Sequence, residues 1–277
     1  MLGKDHLKIS FAFSVPIIIY LIFFVLNFDL SLYIIVVFTM CAIIGSLTPD
    51  ADCKGKTALY QESKIVHFLM ILIYEFILRC TKYLANRYPD QLNPVTEEHR
   101  GILHSLFGIF ISSFLLSLII LVLMLLLFYI TELFYFIDVF YISIFGFFGL
   151  LLGQLLHLLE DSCTKSGIKW FFPFPPKLRL HGNIVTSSEI KDRRPKYFAE
   201  TLGKTGAISS LVIMILWAYN SEFFIYSLLV ALIIQSFVFI YLYRIAQSEL
   251  EGSQWQIIPK ELKKKEKKSI KAKKRKG

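Results

Sequence analysis

The side chains best able to do chemistry are few and unevenly placed. Three short polar strings interrupt a very apolar chain: Pro49-Asp50-Ala51-Asp52, His99-Arg100-Gly101-Ile102-Leu103-His104-Ser105, and His157-Leu158-Leu159-Glu160-Asp161. Each lies at the end of a hydrophobic run, and His6 lies just before the first run. Histidines and aspartates together are the ligands of a divalent metal. A mixed set suits zinc, manganese or iron better than calcium, which prefers all oxygen. His157 and Asp161 are four apart, so on a helix they share a face. Asp50 and Asp52 follow a proline, and in an extended stretch alternate residues point the same way. His99 and His104 are five apart, a spacing that works if His99 precedes the helix and Gly101 lets the chain turn. Seven candidates (His6, Asp50, Asp52, His99, His104, His157 and Asp161) exceed the four ligands of one structural zinc. Two ions bridged by an aspartate fit the number better. Such a centre lowers the pKa of bound water and clamps a phosphoryl or acyl oxygen. Arg100 is the candidate for stabilising developing charge, and Glu160 for a general base or further ligand.

The elements that must position these residues are membrane helices. Apolar residues make up 55% of the 277, and the mean hydropathy is +0.59, too high for an ordinary soluble domain. Runs at about 9–28, 30–47, 104–130, 136–158, 205–220 and 222–244 approach the roughly 20 residues that a crossing helix needs. Short turns pair them into three helical hairpins. The expected fold is all-α: a multi-pass transmembrane bundle of about six spans. Residues 1–250 form the membrane-embedded domain.

Charge orients the bundle. The three short turns carry Asp29, Glu132, Asp138 and Glu222 and no lysine or arginine. Basic residues gather in the N-terminus, the longer loops and the C-terminal tail, which places both termini in the cytoplasm of a plasma (inner) membrane protein. The N-terminal run reads as an uncleaved first span. Segment 65–86 is long and apolar, but it carries Glu75, Arg79 and Lys82. It reads as an amphipathic helix on the cytoplasmic face. This topology brings the three strings and His6 to one membrane face.

Residues 260–277 hold eleven basic and two acidic residues, which accounts for the net charge of +9. The tail 251–277 reads as a disordered polybasic arm on anionic lipid headgroups; nucleic acid or a regulatory protein is the alternative partner. The run Trp170-Phe171-Phe172-Pro173-Phe174 is either an interfacial anchor or a lip that admits acyl or prenyl chains. Cys41, Cys53, Cys80 and Cys163 form no CxxC pair and read as free thiols.

Across the same residues the chain resembles the YdjM-like, LexA-binding family of inner-membrane, hydrolase-like proteins. The likeness lies in the early His6, Pro49-Asp50-Ala51-Asp52 and His99-Arg100-Gly101 through His104-Ser105. It continues through Gly153, His157, Asp161, Thr164, Gly167 and the Trp170–Phe174 stretch, and spans about residues 1–180. It departs where Asp5 replaces a glycine, Leu103 a threonine and Cys53 a histidine. The resemblance implies a multi-pass membrane protein with a hydrolase-like metal centre and supplies no substrate. Together the residues and the likeness point to metal-activated water acting on an amphiphilic phosphoester or phospholipid-like substrate. The competing readings are a metal-ion transporter and a scaffold with a structural metal.

Overall fold

The computed structural model describes residues 3–27, 32–53, 57–95, 100–131, 136–175, 178–185, 192–219, 221–247 and 249–251. The polybasic tail, His99, Glu97 and Glu98 lie outside the described residues. Among the described residues eight helices carry the fold: α1 (Gly3–Asn27), α2 (Tyr33–Gly45), α3 (Ala58–Glu62), α4 (Lys64–Arg87), α5 (Leu106–Thr131), α6 (Phe136–Ser162), α7 (Arg194–Tyr219) and α8 (Ser221–Ala246). One small antiparallel ribbon pairs β1 (Arg179–His181) with β2 (Glu249–Glu251). The all-α membrane bundle expected from the sequence is what forms.

Among the described residues, five helices are long and apolar enough to cross a membrane: α1, α5, α6, α7 and α8. α2 is apolar but has only 13 residues. At 1.5 Å per residue it covers about 20 Å, short of a hydrocarbon core of about 30 Å. The chain then turns at Ser46–Thr48 into a 3₁₀ segment, Pro49–Asp52. α1 starts six residues earlier than the hydropathy suggests, and α7 eleven residues earlier. The cause is the same in both. The first turns carry charges (Lys4, Asp5 and Lys8 in α1; Arg194, Lys196, Glu200 and Lys204 in α7), which dilute the apolar signal without breaking the helix.

The hairpins α1–α2, α5–α6 and α7–α8 all form, but the main packing runs between them. α2 lies along α6, and α1 lies along α7. The resulting order across the bundle is α8, α7, α1, α2, α6, α5. α4 is not among the crossing candidates. Its His67, Met70, Ile73, Ile77 and Thr81 turn inward, while Glu75 and Arg79 make the expected i,i+4 pair on its exposed side at 3.8 Å.

Candidate metal centre

The seam between α2 and α6 fixes the site. Gly149 and Gly153 lie four apart on α6, and small residues at that spacing let helix backbones approach. A Cβ at Gly153 would stand 2.1 Å from the Ala42 carbonyl oxygen, and one at Gly149 2.5 Å from that of Phe38. One turn beyond Gly153, His157 therefore reaches the end of α2, where its Nδ1 lies 2.7 Å from the Ser46 carbonyl oxygen. A carbonyl only accepts, so this contact places a ring proton on Nδ1 and turns Nε2 toward the site.

His104 arrives from the other side, at the end of a 3₁₀ turn (Ile102–His104) ahead of α5. Its Nδ1 lies 3.3 Å from Asp52 Oδ2. Its Nε2 lies 3.5 Å from Asp50 Oδ1 and 3.7 Å from Asp161 Oδ2. His157 Nε2 repeats both separations, 3.5 Å to Asp50 and 3.7 Å to Asp161. These four ligand atoms lie within 4.8 Å of one another. Tetrahedral coordination with bonds of about 2.0–2.2 Å sets ligand atoms about 3.3–3.6 Å apart. The four measured edges are at or just above that range, so Asp50, His104, His157 and Asp161 fit one divalent ion.

The electrostatics also suit a cation. Burial opposes the charged form of Asp50. The charge of His157 and hydrogen bonds from both histidines outweigh it and hold the carboxyl well below its usual range. Burial likewise disfavours protonated His104, but Asp52 above all, with Asp50 and Asp161, carries its pKa up to about 9. A positive charge is stabilised between these carboxylates. Three of the four candidate ligands are sealed from solvent; Asp50, with its side chain 19% exposed, is the opening.

A family model described as YdjM inner membrane protein matches residues 1–244. The chain belongs to the YdjM family. No curated protein matches the chain, and neither does any solved structure. The match runs well past the stretch of about 180 residues legible as a likeness. α7, which lies in the added stretch, packs against α1, and α1 carries His6 into the site.

In this YdjM-family chain His6, Asp52, Arg100 and Glu160, the other described sequence candidates, surround the four-residue group. His6 belongs to the first turn of α1 rather than to a segment before it, and is 1% exposed. Its ring stacks on His157 at 3.9 Å between centroids. Its Nδ1 lies 2.7 Å from Glu160 Oε2, and its Nε2 lies 3.5 Å from Asp161 Oδ1. It thus meets the outer oxygen of Asp161, on the far side from Oδ2. Glu160 is buried and also accepts from Ser10 Oγ at 3.2 Å.

Asp50 and Asp52 sit on a 3₁₀ turn, not an extended stretch, so they do not point the same way. Asp50 faces the four-atom group. Asp52 stands behind His104 and accepts the Arg100 backbone N–H at 3.1 Å. The chain reverses at Arg100 itself, with φ of 64°, rather than at Gly101. A left-handed arginine is strained, and its side chain is tied down. The guanidinium reaches Asp161 Oδ2 at 2.9 Å and Thr164 Oγ1 at 2.7 Å, and it donates to Ser166 Oγ.

The Ser46 carbonyl, Ser10 and Ser166 were missed by the sequence reading. A backbone acceptor has no sequence signal, and isolated serines in apolar helices carry a weak one. The Gly149-x-x-x-Gly153 spacing was the available clue to the α2–α6 contact.

Proposed function

We propose that this protein is a membrane-embedded, metal-dependent hydrolase acting at the cytoplasmic face on an amphiphilic phosphoester. One observation carries the reading: two buried histidines, each backed at Nδ1 by an acceptor, converge their Nε2 atoms with two aspartates at coordination spacing. Asp50, His104, His157 and Asp161 would hold the ion, which zinc, manganese or iron suits. When bound, the ion supplies Lewis-acid polarisation and a water acidic enough to ionise near neutral pH.

The chain's own residues set up that chemistry. The Ser46 carbonyl and Asp52 fix the ring orientations of His157 and His104. Arg100, anchored by Thr164 and Ser166, holds one oxygen of Asp161, and His6, backed by Glu160, approaches the other. The charge of Arg100 is committed to Asp161, so its part is to position that carboxylate rather than to stabilise charge on a substrate. The buried His6–Glu160 pair is the internal proton-holding couple beside the site. The lipid-exposed faces of α5–α8 supply the membrane setting for an amphiphilic substrate.

A structural ion is the second reading, because four protein ligands also make a closed shell. The opening at Asp50 favours chemistry. A transport route is disfavoured: the buried mid-helix amides, Gln154 with Ser112 and Gln235 with Thr205, occupy separate helix pairs.

Elemental analysis of the purified protein tests the reading. Wild type is expected to hold transition metal, and His104→Ala and Asp161→Ala to lose it. Metal-free wild type after metal-supplemented purification overturns the site. Metal without turnover across a panel of lipid phosphoesters gives the structural reading the advantage.

A further inference from the structure

A cavity of about 740 Å³ lies between the start of α5, the second half of α6 and the aromatic loop after it. Its wall includes Leu106, Phe110, Leu151, Leu155, Phe171 and Phe174 and is almost wholly apolar. The volume falls in the range of small-molecule sites, roughly 300–1,000 Å³. Its position is what singles it out. Leu106 follows His104 by two residues, and Leu155 precedes His157 by two. The cavity therefore begins at the same level of the bundle as both histidines, with Leu155 on the face of α6 opposite His157.

Its roof is attached to the same elements. The Leu106 backbone N–H donates to the Trp170 carbonyl oxygen at 2.9 Å, and Trp170 Nε1 donates to Ser162 Oγ at 3.0 Å. Phe172 is buried against the core beneath, while Phe171 and Phe174 are about half exposed. Lys165 and Lys169 are exposed on this loop, and Lys169 stands over the Phe172 ring at 6.0 Å. Hydrocarbon below and positive charge above match an anionic amphiphile.

We propose that this cavity seats the hydrocarbon chain of a phosphate-bearing amphiphile whose head group reaches the metal centre. The inference deepens the hydrolase reading and rests on it for the head group's destination. Selectivity here comes from packing and from the tethered head group, because surrounding lipid is as apolar as the cavity wall.

A second apolar groove, about 520 Å³ between α4 and α5, provides an internal control. Its α5 wall begins at Leu115, eleven residues past His104 and about 16 Å along the helix. Ordinary membrane lipid would fill both grooves alike.

The test uses the full-length, metal-loaded protein in nanodiscs and a dodecyl phosphate bearing a terminal diazirine. After photolysis, mass spectrometry maps the label. Label is expected on Phe110, Leu155 and Phe171, competed by unlabelled dodecyl phosphate and not by ethyl phosphate. In Leu151→Trp, which fills the cavity, it is expected to fall to the level of the α4–α5 groove with metal content unchanged. Should Leu151→Trp prove unstable, competition by alkyl phosphates of increasing length in wild type decides the point. Equal labelling of both grooves, or competition independent of chain length, overturns the inference. Focal labelling without bound metal would sink the metal centre and leave the cavity assignment standing. Bound metal without focal labelling would sink the cavity assignment alone.

Discussion

The α2–α6 seam and the α7–α8 pair are built from similar apolar residues and do different things. Along α2–α6 the backbones touch, ionisable groups are buried, and their polar atoms converge on one point. Along α7–α8 the buried polar groups stay dispersed. Ser210 and Ser227 bond to their own helices, and Gln235 meets Thr205 at 3.4 Å. Close backbone approach is what brings the polar residues of α2 and α6 to one point, whereas the buried serines of α7 and α8 satisfy carbonyls of their own helices.

The same substitution in the two regions gives the strongest contrast. Gly153→Ala puts a methyl 2.1 Å from a backbone oxygen, whereas Gly203 on α7 has only Ala12 Cβ nearby, at 4.0 Å. Gly153→Ala is expected to destabilise by about 1–3 kcal/mol, typical of overpacking, and to lower metal content with it. Gly203→Ala is expected to be neutral or to stabilise by up to ~1 kcal/mol through helix propensity. Thermal unfolding in detergent, with metal analysis, compares them. Equal responses would remove the distinction between the regions.

A substitution without a steric change sharpens the comparison. Asp52 backs the Nδ1 of His104, and loss of such a partner typically weakens metal binding about 10–100-fold. Asp52→Asn is expected to do so in a chelator-competition titration. Gln235→Leu, in the other region, is expected to leave affinity unchanged. An Asp52→Asn variant with wild-type affinity would mean that Asp52 does not hold the histidine.

Much of this site is legible in the sequence because its determinants are chemical types at span ends. Asp50, His104, His157 and Asp161, all singled out by type and position, come together in the fold. The helical character of α4 and its exposed Glu75–Arg79 pair were also readable in the sequence. What the sequence hides is local geometry. The 3₁₀ turn sends Asp50 and Asp52 in different directions, and the reversal falls on Arg100 where Gly101 is the expected residue. Hydropathy trims α7 at its charged first turns, although Pro195, Phe198 and Leu202 there are buried.

The α7–α8 pair is tied together at Asp192, where the smallest effect is expected. Asp192 accepts the backbone N–H groups of Val185 and Arg194, and the Arg194 guanidinium lies 2.5 Å from its carboxylate. Arg194 also donates to the Asn183 carbonyl oxygen, and the Asn183 N–H donates to the Ala246 carbonyl oxygen, so the start of α7 is bound to the end of α8. Hydrogen bonding from Arg194 lowers the Asp192 pKa from 3.8 to about 2. A depressed carboxyl pKa favours the folded state above the unfolded pKa and loses that contribution as pH falls through the folded one. The clamp is therefore fully present above about pH 4 and fades toward pH 2. The carboxylate is partly solvated, so its contribution is expected to be at most about 1 kcal/mol. Asp192→Asn should lower the unfolding temperature slightly at pH 6, and the difference from wild type should narrow between pH 4 and pH 2. A difference that does not change with pH would show that the hydrogen bonds, and not the charge, hold α7 to α8.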